Sequence, residues 1–271
     1  MTRDEAEELM TTAGAAPEAD FPLFEAVLAC AVHEDPEREP DIARHALDEA
    51  CARLKARLKM HSPEEAVCEA LGGDCGFAGD LFMRDDLGNT DLISVCDRRR
   101  GLSVTLSVVF LEAARRCKLE MTGVDFPGHF LLRLETEEGP MALDPFEGGR
   151  VVLPSALVSR ALQAGLPPSA ADDLEHLMTP ISARRVALRL QDHLFARAEQ
   201  TGDWARAERA AHRRALLDPT DHRAWIDVAT AREGQGRLAG ALDALARARS
   251  LDGGAAVAAR AARQRMRLAL N

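Results

Sequence analysis

The sequence predicts an α+β fold followed by an all-α unit, and three observations carry that expectation. Apolar residues recur at three- and four-residue spacing through 22–33 and 41–60, the mark of amphipathic helices. The middle of the chain then reads as one long apolar helix followed by three short strands. From about residue 200 the sequence repeats at a period of 34 residues. We expect a helical N-terminal part and a core helix on a small antiparallel sheet over 1–180, then a helical repeat unit over 181–271.

Each element has its own signals. PLFEAVLACAVH (22–33) and DIARHALDEACARLKARLKM (41–60) are separated by HEDPEREPD, two prolines among acids, which reads as a loop. Ser62-Pro63-Glu64-Glu65 supplies an N-cap, a proline at the first helical position and acids in the first turn. That helix is expected to reach Leu71 and stop at Gly72-Gly73. Residues 72–101 are rich in Gly, Asp and Asn and read as a long structured loop with a short helix near 90–97. They contain neither GxxxxGK[ST] nor GxGxxG, so their glycines are turn formers rather than a phosphate cradle. SVTLSVVFLEAARRC (103–117) is apolar on nearly all sides at first. Its length and its LEAARR end favour a buried helix over a strand, and Gly101-Leu102-Ser103 offers an N-cap. GVDF, HFLLRL and MALDPF read as strands joined by turns at Pro127-Gly128 and Glu137-Glu138-Gly139-Pro140.

In the C-terminal part, Gly202-Asp203-Trp204 precedes Leu217-Asp218-Pro219, and Gly236-Arg237-Leu238 precedes Leu251-Asp252. Gly202 and Gly236, Ala207 and Ala241, and Leu217 and Leu251 are each 34 residues apart. That period, with small residues where helices cross, is the signature of tetratricopeptide repeats. About two repeats fit, with a final helix from about 255. Two repeats bury little core alone, so they are expected to pack on the rest of the protein.

Composition narrows the functional classes. Hydrophobic residues make up 46% of the 271 and charged residues 29%, as in globular proteins. Tyrosine is absent and aromatics are 4%, so the core rests on Leu, Val and Ala. The N-terminus, MTRDEAEELM, is acidic where a signal peptide is basic and then apolar. The longest apolar run, LSVTLSVVFL, is about half of the roughly 20 residues a membrane span needs. These features lead us to expect a cytoplasmic protein with no membrane partner. The six cysteines form no CxxC pair, and no HExxH occurs. We therefore expect free buried thiols, no metal and no cofactor. Net charge is −10 but uneven: residues 1–180 hold 17 basic and 34 acidic side chains, whereas 181–271 hold 17 arginines, no lysine and 10 acids. The basic part either docks on the acidic body or meets an acidic partner. Nucleic acid is a poor fit, since no aromatic residues interleave with the arginines.

The chemistry sits in GVDFPGHFLLRL (123–134) and ALDPF (142–146). A nucleophile at a helix start gains from the positive end of the helix dipole. A histidine on one strand could take its proton, and an aspartate on the next could orient the histidine. GF-x-GD at 76–80, GN at 88–89, RR-x-G at 98–101, LSVVFLEAARR at 106–116, GVDFPGHFLLR at 123–133 and DPFEGG at 144–149 follow in order. Together they resemble the SirB-type family of bacterial proteins, a transglutaminase-like domain of papain type followed by tetratricopeptide repeats. The resemblance covers roughly 20–260. It implies that His129 and Asp144 stand at the His and Asp of a Cys-His-Asp triad. The cysteine does not follow. The nucleophile position falls at Ser103-Val104-Thr105. Cys96 comes some seven residues too early, and Cys117 lies about 20 Å along the helix.

A hydroxyl at Ser103 or Thr105 is a far weaker nucleophile than a thiolate and needs full activation by His129 and an oxyanion hole. The loss of the cysteine therefore points to a non-catalytic protein-binding or regulatory protein with a protein or peptide partner. The alternative is a hydrolase or acyl-transferase using Ser103 or Thr105 with His129 and Asp144. Asn89 and Arg100 are candidate ligand-binding residues beside it. Asn89 could equally hold its loop, and the run Arg98-Arg99-Arg100 could equally pair with nearby acids.

Overall fold

The computed structural model describes residues 1–82, 86–254, 256 and 257. Two compact units emerge: Pro22–Val186 is one, and Met1–Phe21 with Ala187 onward is the other. The chain divides at 186/187 where the sequence suggested 180, and the first 21 residues group with the C-terminal helices.

The chain opens with α1 (Arg3–Ala15), capped by Thr2 and Glu5 in a reciprocal capping box. The unit Pro22–Val186 then begins with α2 (Leu23–Glu34) and α3 (Pro40–Arg57), both foreseen from their apolar spacing. α4 (Pro63–Val67) starts on the Ser62–Glu65 capping box. It does not stop at Gly72-Gly73. A π-helical stretch, Cys68–Asp74, carries the chain through both glycines. The reason is contact: a Cβ on Gly72 would lie 2.2 Å from the Gly148 carbonyl oxygen, so the glycine serves close approach rather than termination.

The Gly- and Asp-rich segment contains β1 (Ala78–Gly79), a 3₁₀ turn at Leu87–Thr90, α5 (Leu92–Arg98) and β2 (Arg100–Gly101). β1 and β2 pair in parallel, Gly79 against Gly101. This pair leads directly into α6 (Ser103–Arg116), which is buried along twelve of its first residues, Ser103 to Ala114. Leu102, not Ser103, holds the N-cap position.

β3 (Met121–Phe126), β4 (His129–Thr136), β5 (Gly139–Asp144) and a fourth strand, β6 (Arg150–Val152), form one antiparallel sheet in sequence order. The register pairs Phe126 with His129 and Asp144 with Arg150. Phe130, Leu131 and Leu132 are buried in succession, which requires cover on both faces of the sheet. Leu131 shares a core with Val124, Phe126, Leu157 and Ala161, so α7 (Pro154–Gln163), with α8 (Pro168–Ala171) and α9 (Leu174–Leu177), covers that face. α6 packs on β3 and β4 from the other.

The boundary between the units falls within α10 (Ala183–Thr201). α11 (Trp204–Leu217), α12 (His222–Gly234) and α13 (Leu238–Ser250) follow, each packed on the next. The 34-residue spacing is visible here as geometry. Gly202 and Gly236 both take positive φ, 72° and 74°, in the turns before α11 and α13, and Ala207 and Ala241 are both buried at the fourth helical position. The core of this unit is mostly alanine, with Phe195, Val228 and Leu245. α1 packs on α11. A Cβ on Gly14 would lie 1.9 Å from the Leu216 carbonyl oxygen, so only glycine permits that approach. The expected final helix from about 255 lies almost wholly outside the described residues.

Candidate functional site

Alternation along β4 and β5 places His129 on the face of Leu131, and Asp144 on the face of Ala142. The two side chains meet. His129 Nε2 and Asp144 Oδ1 are 2.9 Å apart, with 26% and 2% of the side chains exposed. Asp144 has two further partners. Oδ1 accepts from the Phe146 backbone N–H at 2.9 Å, which closes an Asx turn over Pro145. Oδ2 accepts from Arg160 Nη1 at 2.7 Å, and Arg160 also reaches Glu147 at 3.4 Å.

Burial alone would push the Asp144 carboxyl up, but the bonds and charges of His129 and Arg160 outweigh it and hold the group below its ordinary value. An ionised carboxylate only accepts, so His129 Nε2 is the donor. Its Nδ1 has no partner among the described residues.

Arg160 was not foreseen from the sequence. Its signal was present: it is the lone lysine or arginine between Arg150 and Arg184, on the first helix after the buried Asp144. A carboxylate at that depth needs a cation or several donors.

Phe146 decides what lies in front of His129. Its ring meets the imidazole edge-on, with centroids 6.1 Å apart. On its other side it lies against Gly79, where a Cβ would come 2.2 Å from the ring. The phenyl group thus touches both His129 and β1.

Neither hydroxyl at the nucleophile position reaches His129 among the described residues. Ser103 is 9% exposed, and its carbonyl accepts from Ser107 Oγ at 2.7 Å. Thr105 is wholly buried, and its Oγ1 has no hydrogen-bond partner. The cysteines do not compensate. Cys96 is buried in α5 with its thiol pushed up to about 12 by that burial, and Cys117 closes the far end of α6 with its thiol also raised by burial.

Asn89 is fully buried. Its side-chain oxygen accepts from Arg98 at 3.2 Å, its carbonyl accepts from the Leu102 N–H at 3.1 Å, and Arg98 is paired with Asp86 at 2.7 Å. Arg100 is exposed and donates to the carbonyls of Gly76 and Arg99. Arg99, in left-handed conformation at φ 59°, pairs with Glu49 and lies over the Phe77 ring. The structure thus engages Asn89 and the arginine run in holding the 76–101 segment. Among the described residues no group of three or more His, Cys, Asp or Glu side chains could hold a metal, and no helix is long and apolar enough to cross a membrane.

Comparison with known families matches the segment that holds this helix, sheet and His–Asp pair. The family model described as the transglutaminase-like superfamily covers residues 42–192. The chain belongs to that superfamily. Similar proteins include a UPF0162 protein of Xylella fastidiosa Temecula1, 31% identical over 233 residues, covering 84% of this chain and 83% of the relative. A UPF0162 protein of Pseudomonas aeruginosa is 33% identical over 135 residues, 49% of each chain. No solved structure matches. Within the transglutaminase-like region, His129 and Asp144 are joined as a triad's base and orienting acid would be. The helix start that would hold the nucleophile carries Ser-Val-Thr.

Proposed function

We propose that this transglutaminase-like protein is non-catalytic and acts by binding a protein or peptide partner, as a cytoplasmic regulator of the SirB type. On this reading the transglutaminase-like region is a scaffold, and the half-buried His129 and Arg160 bracket the buried Asp144 and tie β4, β5 and α7 together. The tetratricopeptide-like helices carry the partner-binding surface. The observation that supports this reading most is the state of the Ser103–Thr105 helix start: Thr105 is wholly buried and Ser103 makes no bond to His129, whose imidazole packs edge-on with the Phe146 ring. Without a poised nucleophile, a base and an orienting acid do not make an acyl-transfer site.

The second reading, a hydrolase or acyl-transferase with Ser103 or Thr105 as nucleophile, draws on one observation: the His129 side chain remains 26% exposed and its Nδ1 has no partner among the described residues. The two readings separate in a turnover assay. p-Nitrophenyl ester hydrolysis and incorporation of a fluorescent amine into a glutamine peptide are measured for the full chain and for His129→Ala. We expect both proteins to match the buffer background. Turnover by the natural chain that His129→Ala abolishes would establish the enzyme.

A further inference from the structure

Away from the His129 bracket, a cavity of about 300 Å³ lies among α11, α12 and α13, lined by His212, Trp225, Arg232, Asp243, Ala244 and Arg247. Its walls are fixed by contacts that the fold must supply. The Trp225 ring is met edge-on by His212, with centroids 6.2 Å apart. Arg232 donates from Nε to Glu208 at 2.7 Å and from Nη1 to the Gly240 carbonyl at 3.0 Å. Its charge is thereby answered inside the protein.

Arg247 is different. Its guanidinium carbon stands 4.8 Å from the Trp225 ring centre, and the guanidinium makes no hydrogen bond or ion pair with any described residue. Asp243, one turn earlier on α13, likewise has none. These two could have paired at i, i+4 spacing. Instead the guanidinium lies over the indole, and its N–H groups have no partner among the described residues. Those N–H groups form a fork that fits a carboxylate. Asp243 beside it accepts but cannot donate. The cavity therefore presents one cation with donors and one anion with acceptors on an aromatic floor. A polypeptide segment meets both demands, with a carboxylate for Arg247 and a backbone N–H for Asp243. Inorganic phosphate keeps an O–H donor near neutral pH, but its larger negative charge is repelled by Asp243.

We propose that this cavity is a binding site for a carboxylate of a partner polypeptide, held by Arg247 over Trp225 with Asp243 accepting a neighbouring N–H. The proposal rests on the partner-binding reading above and names the chemistry of the partner. The carboxylate comes either from an Asp or Glu side chain or from a chain terminus.

The test is an NMR titration of the full chain, following the Trp225 indole N–H signal. Four probes are used: acetyl-Gly-Leu-Glu-Leu-Gly-amide, its Gln counterpart, acetyl-Gly-Leu-Gly-Leu with a free C-terminus, and tripolyphosphate. A saturable shift with the first peptide assigns a side chain, and with the third a chain terminus. The Gln counterpart should bind at least about tenfold more weakly than the Glu peptide if the side chain is the ligand. Arg247→Ala should weaken the binding peptide by about tenfold or more, Arg247→Lys by less, with helix content unchanged. Asp243→Asn should narrow the preference for peptide over tripolyphosphate. No shift with either carboxylate peptide, equal binding by Arg247→Ala, or tighter binding of tripolyphosphate than of peptide would overturn the site. Failure here with no His129-dependent turnover removes this site and leaves the non-catalytic reading standing. His129-dependent turnover removes that reading whatever the peptides do.

Discussion

Asp144 is the residue on which the candidate site turns. Its side chain is 2% exposed and serves three donors from β4, the Phe146 turn and α7. Removing one partner leaves a buried charge undercompensated. Arg160 is 27% exposed, so solvent recovers part of the loss, and Arg160→Ala is expected to cost about 2 kcal/mol in chemical denaturation. The pH dependence follows from the lowered Asp144 value. Between the folded value and the ordinary 3.8, the folded state binds fewer protons than the unfolded one, so stability falls as pH drops through that interval. The contribution is complete above the ordinary value. Asp144→Asn should lower stability at neutral pH and flatten the acid limb of the curve relative to the natural chain. Thr105 gives an opposite expectation. Its hydroxyl is buried and unpartnered, a state that costs about 1 kcal/mol or more. Thr105→Val should therefore leave the unfolding midpoint unchanged or raise it. A large loss would mean that the hydroxyl is in use.

At the scale of elements, the long apolar helix, the strand run around His129 and the 34-residue spacing were all legible, because periodicity and turn chemistry are local properties. His129 and Asp144 could be paired from the sequence because they stand on adjacent strands, where a diagonal contact across the sheet joins them. Arg160 and Phe146 could not be placed as readily. One reaches Asp144 from a helix beyond the sheet, and the other depends on a contact with Gly79, far away in sequence. The same limit explains Gly72-Gly73, which reads as a helix stop and in fact backs onto Gly148. The Phe146–Gly79 contact has a direct test. Gly79→Ala forces a methyl into the ring and should cost about 1–3 kcal/mol. Combined with Phe146→Ala, much of that cost should disappear, so the two changes should be clearly non-additive in a double-mutant cycle.

For the whole molecule, the charge asymmetry takes a new meaning once the units are known. Residues 1–21 with 187–271 carry 16 basic and 16 acidic side chains, while 22–186 carry 18 and 28. The arginine-rich helices are thus balanced within their own unit, partly by the acidic α1. Glu7 of α1 lies 3.7 Å from His212, and Ala6, Met10, Ala13 and Gly14 are buried along the helix. Deleting residues 1–21 should therefore destabilise the C-terminal helices, seen as earlier proteolysis within 187–254 while cleavage of 22–186 is little changed. Whether the helix start at 103–105 holds a working nucleophile decides between a binding protein and an enzyme. The most direct measurement is treatment of the full chain with a fluorophosphonate, followed by peptide mass spectrometry over 102–115. The expected result is no adduct on Ser103 or Thr105, in the natural chain and in His129→Ala alike. An adduct on Ser103 that vanishes in His129→Ala would contradict it.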